Sequence, residues 1–193
     1  GKDWYKSLAH SYVCPRTIPV LLEESMTVTK ATIVSSARKY AKDLRSGAVK
    51  PKFDGSFAFA EGRVGCAFGQ ILSRAGFRPR HVEVSGNDEA LCLALTGVDN
   101  SVLDDIKALT KVNGLSQRLM ESANEVADVY GSYTTYVDDE GSEELKDATE
   151  ALAVAVEEFA DDLERSPFNH EIKRKILRSA KAFKKTDTGE LSW

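Results

Sequence analysis

The sequence predicts an all-α chain, an irregular multi-helix bundle with a possible short β-hairpin or extended segments near 53–60 and 80–85. Three observations carry that prediction. Apolar residues recur three and four positions apart along most of the chain, the period of a helix with one buried face. Glycines and capping residues separate these stripes, where helices stop and start. Strand-like alternation is confined to Phe53, Phe57 and Phe59 and to His81-Val82-Glu83-Val84.

Residues 1–25 stand apart. Trp4, Leu8 and Tyr12 recur every fourth residue, so Asp3 to Val13 reads as a short amphipathic helix. Cys14-Pro15-Arg16-Thr17-Ile18-Pro19 reads as extended, because each proline steers its predecessor away from helix. Val20-Leu21-Leu22 is an apolar patch, and Met26 then opens the helical body. The expectation is an N-terminal docking arm or appended peptide over 1–25, or else an extension packed on its own domain.

The body, 26–131, begins with a helix whose stripe is Ile33, Val34, Ala37, Tyr40, Ala41 and Leu44, stopped by Gly47. Pro51, Asp54-Gly55 and Gly62 mark a loop. A second helix spans Val64 to Ala75 and ends at Gly76-Phe77 in a Schellman-type turn. Asn87 or Asp88 caps a third, running through Leu95 to Gly97. Ser101 and Asp104 form a variant capping box for a helix through Val112. Leu115, Leu119, Ala123, Val126, Ala127 and Tyr130 define the next, with Gly131 as its stop.

Two C-terminal helices, within 132–185, are expected to pack on that body. Ser132 to Gly141 reads as an acidic linker, and Ser142 caps the longest helix. Its stripe of Leu145, Ala148, Leu152, Ala155 or Val156, Phe159 and Leu163 is close to heptad spacing, suited to a bundle groove. Ser166-Pro167 reads as a cap followed by proline in the first turn. Phe168, Ile172, Ile176, Leu177, Ala180 and Phe183 face inward, with seven Lys or Arg on the remainder, and 186–193 is a tail.

Arg63-Val64-Gly65-Cys66-Ala67-Phe68-Gly69-Gln70-Ile71-Leu72-Ser73-Arg74-Ala75-Gly76 resembles the Cys-Ala-x-Gly-x-Ile-Leu-x-x-Ala-Gly motif of uncharacterised small helical proteins of actinobacteria and their phages. The similarity covers about residues 28–130. In those proteins a later helix often ends in Asn-Asp; here Gly114 follows Asn113. The resemblance implies a helical fold and a phage or actinobacterial setting, and assigns no activity. Physically, Gly65 and Gly69 on one helix face would let another backbone approach closely, with Cys66 as a small apolar filler. The sharper alternative is a Cys66 thiolate activated at a helix N-terminus. His81 is the only histidine near it in sequence.

The formal net charge of −4 conceals segregation. Residues 1–25 are neutral, 26–80 carry +8, 81–164 carry −17, and 165–193 carry +5. Such blocks either pair with one another or present a field to a charged partner. The basic last helix is expected to pair with its acidic neighbour rather than to bind phosphate.

Other chemistry is sparse. There is no GxGxxG, P-loop, HExxH or GxSxG. His10, His81 and His170 lack metal-ligand spacing, and Asp138-Asp139-Glu140 and Asp161-Asp162 lack an EF-hand pattern. No cofactor or metal is expected. Cys14, Cys66 and Cys92 form no CxxC, and Gly1 to Glu24 has no signal-peptide core, so a reducing cytoplasm is expected. No apolar run approaches the ~20 residues that cross a bilayer.

The leading functional reading is a non-catalytic, phage-derived interaction protein that binds a host protein. Trp4, Leu8, Tyr12, Ile18 and Leu21 would anchor the partner, and Glu143, Glu144, Asp147, Glu157 and Asp161 would supply complementary charge. The alternatives are an acidic nucleic-acid mimic occupying a DNA-binding protein and, behind it, a small Cys66-dependent enzyme. Direct binding to nucleic acid is not expected.

Overall fold

Why the helices pack as they do can be followed in a computed structural model, which describes residues 28–49, 66–77, 86–97 and 116–186, the last with side chains to 179. The described residues are all-α. They form α1 (Lys30–Ser46), α2 (Ala67–Arg74), α3 (Asn87–Thr96), α4 (Gln117–Tyr136), α5 (Glu143–Arg165) and α6 (His170–Thr186). The segments 53–60 and 80–85, the helix expected over 101–112, the arm 1–25 and the tail lie outside them.

The longest helix, α5, organises the rest: α1 and α4 both pack along it. Its face of Leu152, Val156, Phe159 and Leu163 is fully buried, as the near-heptad stripe requires. Phe159 meets Phe68 of α2 edge-on, with centroids 5.0 Å apart. The α1 stripe is buried throughout, from Ile33 to Leu44. Thr29 and Thr32 close a capping box at its start, and Gly47 ends it at φ 77°, in the left-handed region that favours glycine. Ser36 Oγ donates to the Ile71 carbonyl at 2.6 Å, binding α2 to α1. At the end of α2, Phe77 N–H reaches Leu72 O and Gly76 N–H reaches Ser73 O, the two bonds of the expected Schellman turn.

Four boundaries differ from the sequence reading, two for tertiary reasons and two for local capping ones. Gly131 does not stop α4, which continues to Tyr136. The acidic linker therefore shrinks, and position 131 lies within the helix. Tyr130 and Tyr133 on either side of Gly131 are buried, so packing holds the turn that glycine alone would loosen.

Ser166 closes α5 rather than opening α6: its Oγ donates to Leu163 O at 2.6 Å. Asn169 caps α6, its Oδ1 accepting the Ile172 N–H at 2.9 Å. Between them the chain turns to bury Phe168. Neither Asn87 nor Asp88 caps α3; Gly86 occupies that position without a side-chain bond. Helix α4 supplies the missing acceptor, since Asn124 Oδ1 takes the Asp88 N–H at 3.2 Å. Asn87 is buried and donates from Nδ2 to Ala123 O at 2.7 Å. Finally, α2 begins at Ala67, not Val64. Cys66 is its extended N-cap rather than a residue inside the helix, and Gly65 lies outside the described residues.

Candidate functional site

Charge divides α5 lengthwise. On the flank facing α1, Arg38 donates to Glu164 at 2.7 Å and to Asp161 at 3.0 Å. One heptad on, Arg45 forks onto Glu150, with Nε–Oε2 and Nη2–Oε1 both 2.9 Å, and reaches Glu157 at 2.6 Å. Lys30 completes the seam by donating to the carbonyls of Ser166 and Glu164. Two guanidiniums thus hold four carboxylates. The bonds from Glu157 and Glu150 push the Arg45 pKa up, those from Glu164 and Asp161 do the same for Arg38, and Arg45 holds the Glu150 carboxyl below its usual range.

The opposite flank, against α4, is different. Arg118, Glu121, Ser122, Glu125, Ala155 and Glu158 line a shallow groove there. Ser122 donates a short hydrogen bond to Asp162 at one end, and Arg165 donates to the same carboxylate at 2.8 Å. Burial by itself would raise the Asp162 pKa; the Ser122 and Arg165 bonds, with the charge of Arg118, outweigh it and hold the carboxyl low. Beyond this point compensation stops. Glu125, Asp128, Glu144, Asp147 and Glu158 form no ion pair among the described residues, and all five are exposed. Val154 (40% exposed) and Tyr136 (36%) are the most exposed large apolar side chains among the described residues.

The five acidic residues read from the sequence fall on both sides of this division. Glu157 and Asp161 are engaged by Arg45 and Arg38. Glu143, Glu144 and Asp147 are exposed at the start of α5, Glu143 with Lys146 beside it at 3.4 Å. Trp4, Leu8, Tyr12, Ile18 and Leu21 lie outside the described residues. Among the described residues the ion pairs of α5 to other helices go to α1 and α4, and the basic side chains of α6 beyond 179, on which the expected pairing partly rests, lie outside them. Helix α6 packs on α3 instead.

Sequence reasoning missed Glu121, Glu125, Asp128 and Glu158. The signal was present: Glu121, Glu125 and Asp128 fall at i, i+4 and i+7, opposite the Leu119–Ala123–Val126 stripe. Val154 likewise lies off the buried stripe of its helix.

Cys66 is half-buried, and its Sγ accepts the Gly69 N–H at 3.4 Å, a capping role for a residue read as filler. Among the described residues no group of His, Cys, Asp or Glu is arranged to hold a metal ion. None of their helices is long and apolar enough to cross a membrane. Comparison with protein-family models, with curated proteins and with solved structures gives no match for this chain.

Proposed function

We propose that this chain is a non-catalytic interaction protein that docks a host protein through the acidic face of α4 and α5. One observation carries the reading: the α1 flank of α5 is neutralised internally, whereas Glu125 and Asp128 of α4 and Asp147 and Glu158 of α5 are exposed and form no ion pair among the described residues. A fold gains little from unpaired carboxylates crowded on adjacent helices, since like charges repel. A basic partner relieves that repulsion and is drawn in by the field. The motif resemblance supports a bacterial host as the setting, and the lack of any CxxC suits a reducing cytoplasm.

The nucleic-acid-mimic reading is weaker on the same ground. Four carboxylates of α5 are consumed by Arg38 and Arg45, which breaks the continuous charge that imitation of a phosphate backbone needs.

The test is affinity purification from host cells with the full chain, with Glu125→Lys/Glu158→Lys, and with Trp4→Ala/Leu8→Ala, followed by titration of any recovered protein in pure form. The expected result is a stoichiometric partner lost on charge reversal and bound more weakly as salt rises. Equal binding by the charge-reversed chain removes the acidic face from the function; equal binding by the arm variant removes the arm.

A further inference from the structure

We propose that the outer face of α6 is a contact surface for the phosphate backbone of nucleic acid, held without regard to base sequence. This goes beyond the acidic-face reading and does not depend on it.

Helix α6 separates two characters across its width. Its inner side is occupied by the fold: Ile176 is fully buried, Ile172 is half-buried, and the helix packs on α3. Arg174 and Arg178 lie two residues to either side of Ile176, a rotation of about 200° that sets them on the opposite face. Both are exposed, as is Lys175, and none of the three forms an ion pair among the described residues. Lys181 and Lys185 continue the register at i+7 and i+11 from Arg174, so the stripe spans about 16 Å of helix. The one carboxylate of α6, Glu171, sits in the first turn, where the helix dipole favours it.

Polyanionic partners differ in what else they demand. A bilayer takes a basic amphipathic helix by its apolar side, and here that side is already buried against the fold. A protein interface is anchored by apolar or aromatic side chains beside its charges, whereas every exposed side chain of α6 up to residue 179 is polar or charged. A phosphate backbone needs only a row of cations. Each strand of a duplex presents one charge about every 3.4 Å of axis, and neutralising those charges releases condensed counterions, which drives the contact. The net charge of −4 does not oppose this, because at physiological salt a charge acts over about 8 Å and the local stripe decides.

The test uses the full chain and two dye-labelled 20-base-pair DNA duplexes of unrelated sequence, read by fluorescence anisotropy as salt is raised from 50 to 200 mM. Both duplexes are expected to bind alike, with log affinity falling against log salt at a slope of about −3.6 for four phosphate contacts. Arg174→Gln/Arg178→Gln should weaken binding about tenfold at 50 mM salt and flatten the slope to about −1.8. Arg174→Lys/Arg178→Lys keeps the charge and should bind within about twofold of the parent chain. Both positions are at the surface, and an unchanged melting temperature verifies folding. The chain is expected not to sediment with phosphatidylserine vesicles.

No binding to either duplex at 50 mM salt, indifference to the glutamine pair, or loss of binding in the lysine pair overturns the proposal. Sedimentation with vesicles that the glutamine pair abolishes also overturns it, and assigns the face to a lipid surface. None of these variants touches α4 or α5, so the acidic-face reading stands or falls separately, on Glu125→Lys/Glu158→Lys.

Discussion

Arg45 of α1 grips Glu150 of α5 with two parallel hydrogen bonds, both 2.9 Å, and spends its remaining reach on Glu157. This single side chain shows why the −17 block does not act as one patch. Part of it is matched within the fold, across helices more than a hundred residues apart in sequence.

The match is exposed to water, so it specifies pairing more than it adds stability. Arg45→Ala is expected to lower the melting temperature slightly at low salt, with the difference vanishing in concentrated salt. A deficit that persists at high salt would mean that Arg45 contributes through its aliphatic stem instead.

Acid should loosen both flanks of α5, at Glu150 against α1 and at Asp162 against α4. Glu150 and Asp162 both have folded-state pKa values below the ordinary 4.5 and 3.8. Their contribution is present above those ordinary values and is lost as pH falls through the depressed ones. Stability is therefore expected to be level above about pH 5 and to fall below it. In Glu150→Gln the decline should be shallower, measured by urea unfolding across that range. An unchanged acid limb would show that Glu150 gains nothing from Arg45.

The core makes a larger claim. Phe159 is fully buried and meets Phe68 edge-on at 5.0 Å, at the junction of α2 and α5. Phe159→Ala should cost about 3–5 kcal/mol, a large share of the roughly 5–15 kcal/mol that holds an ordinary domain folded. Phe159→Leu, which keeps most of the volume, should remain folded. Chemical denaturation of the two variants separates a packing role from intolerance to any change.

What could be read from the sequence divides along physical lines. The stripes of α1 and α5 were legible because burial on one helical face imposes a period that residues such as Ile33, Tyr40, Leu152 and Phe159 display directly. The cap of α3 was not, because its acceptor comes from Asn124 on another helix. Ser166 was misread since serine suits a helix start and here bonds backward to Leu163. In the candidate site, composition revealed the excess of carboxylates but not which were matched. Glu157 and Asp161 look no different in sequence from Glu158; their positions around the axis of α5 send them to α1 and leave Glu158 in the groove.

Glycine gives the sharpest contrast between punctuation and context. Gly131 lies mid-helix in α4, and a Cβ added there would meet nothing within 4 Å. Gly131→Ala should therefore stabilise the protein by about 0.5–1 kcal/mol, by removing unfolded-chain freedom and restoring helix propensity. Gly47 also has open space around it, but its φ of 77° is a conformation that a side chain strains. Gly47→Ala should destabilise by about 1 kcal/mol or more, for backbone reasons alone. Urea midpoints of the two variants should move in opposite directions. If Gly131→Ala instead moved with Gly47→Ala, α4 would end at Gly131, and Tyr133 and Tyr136 would belong to a turn.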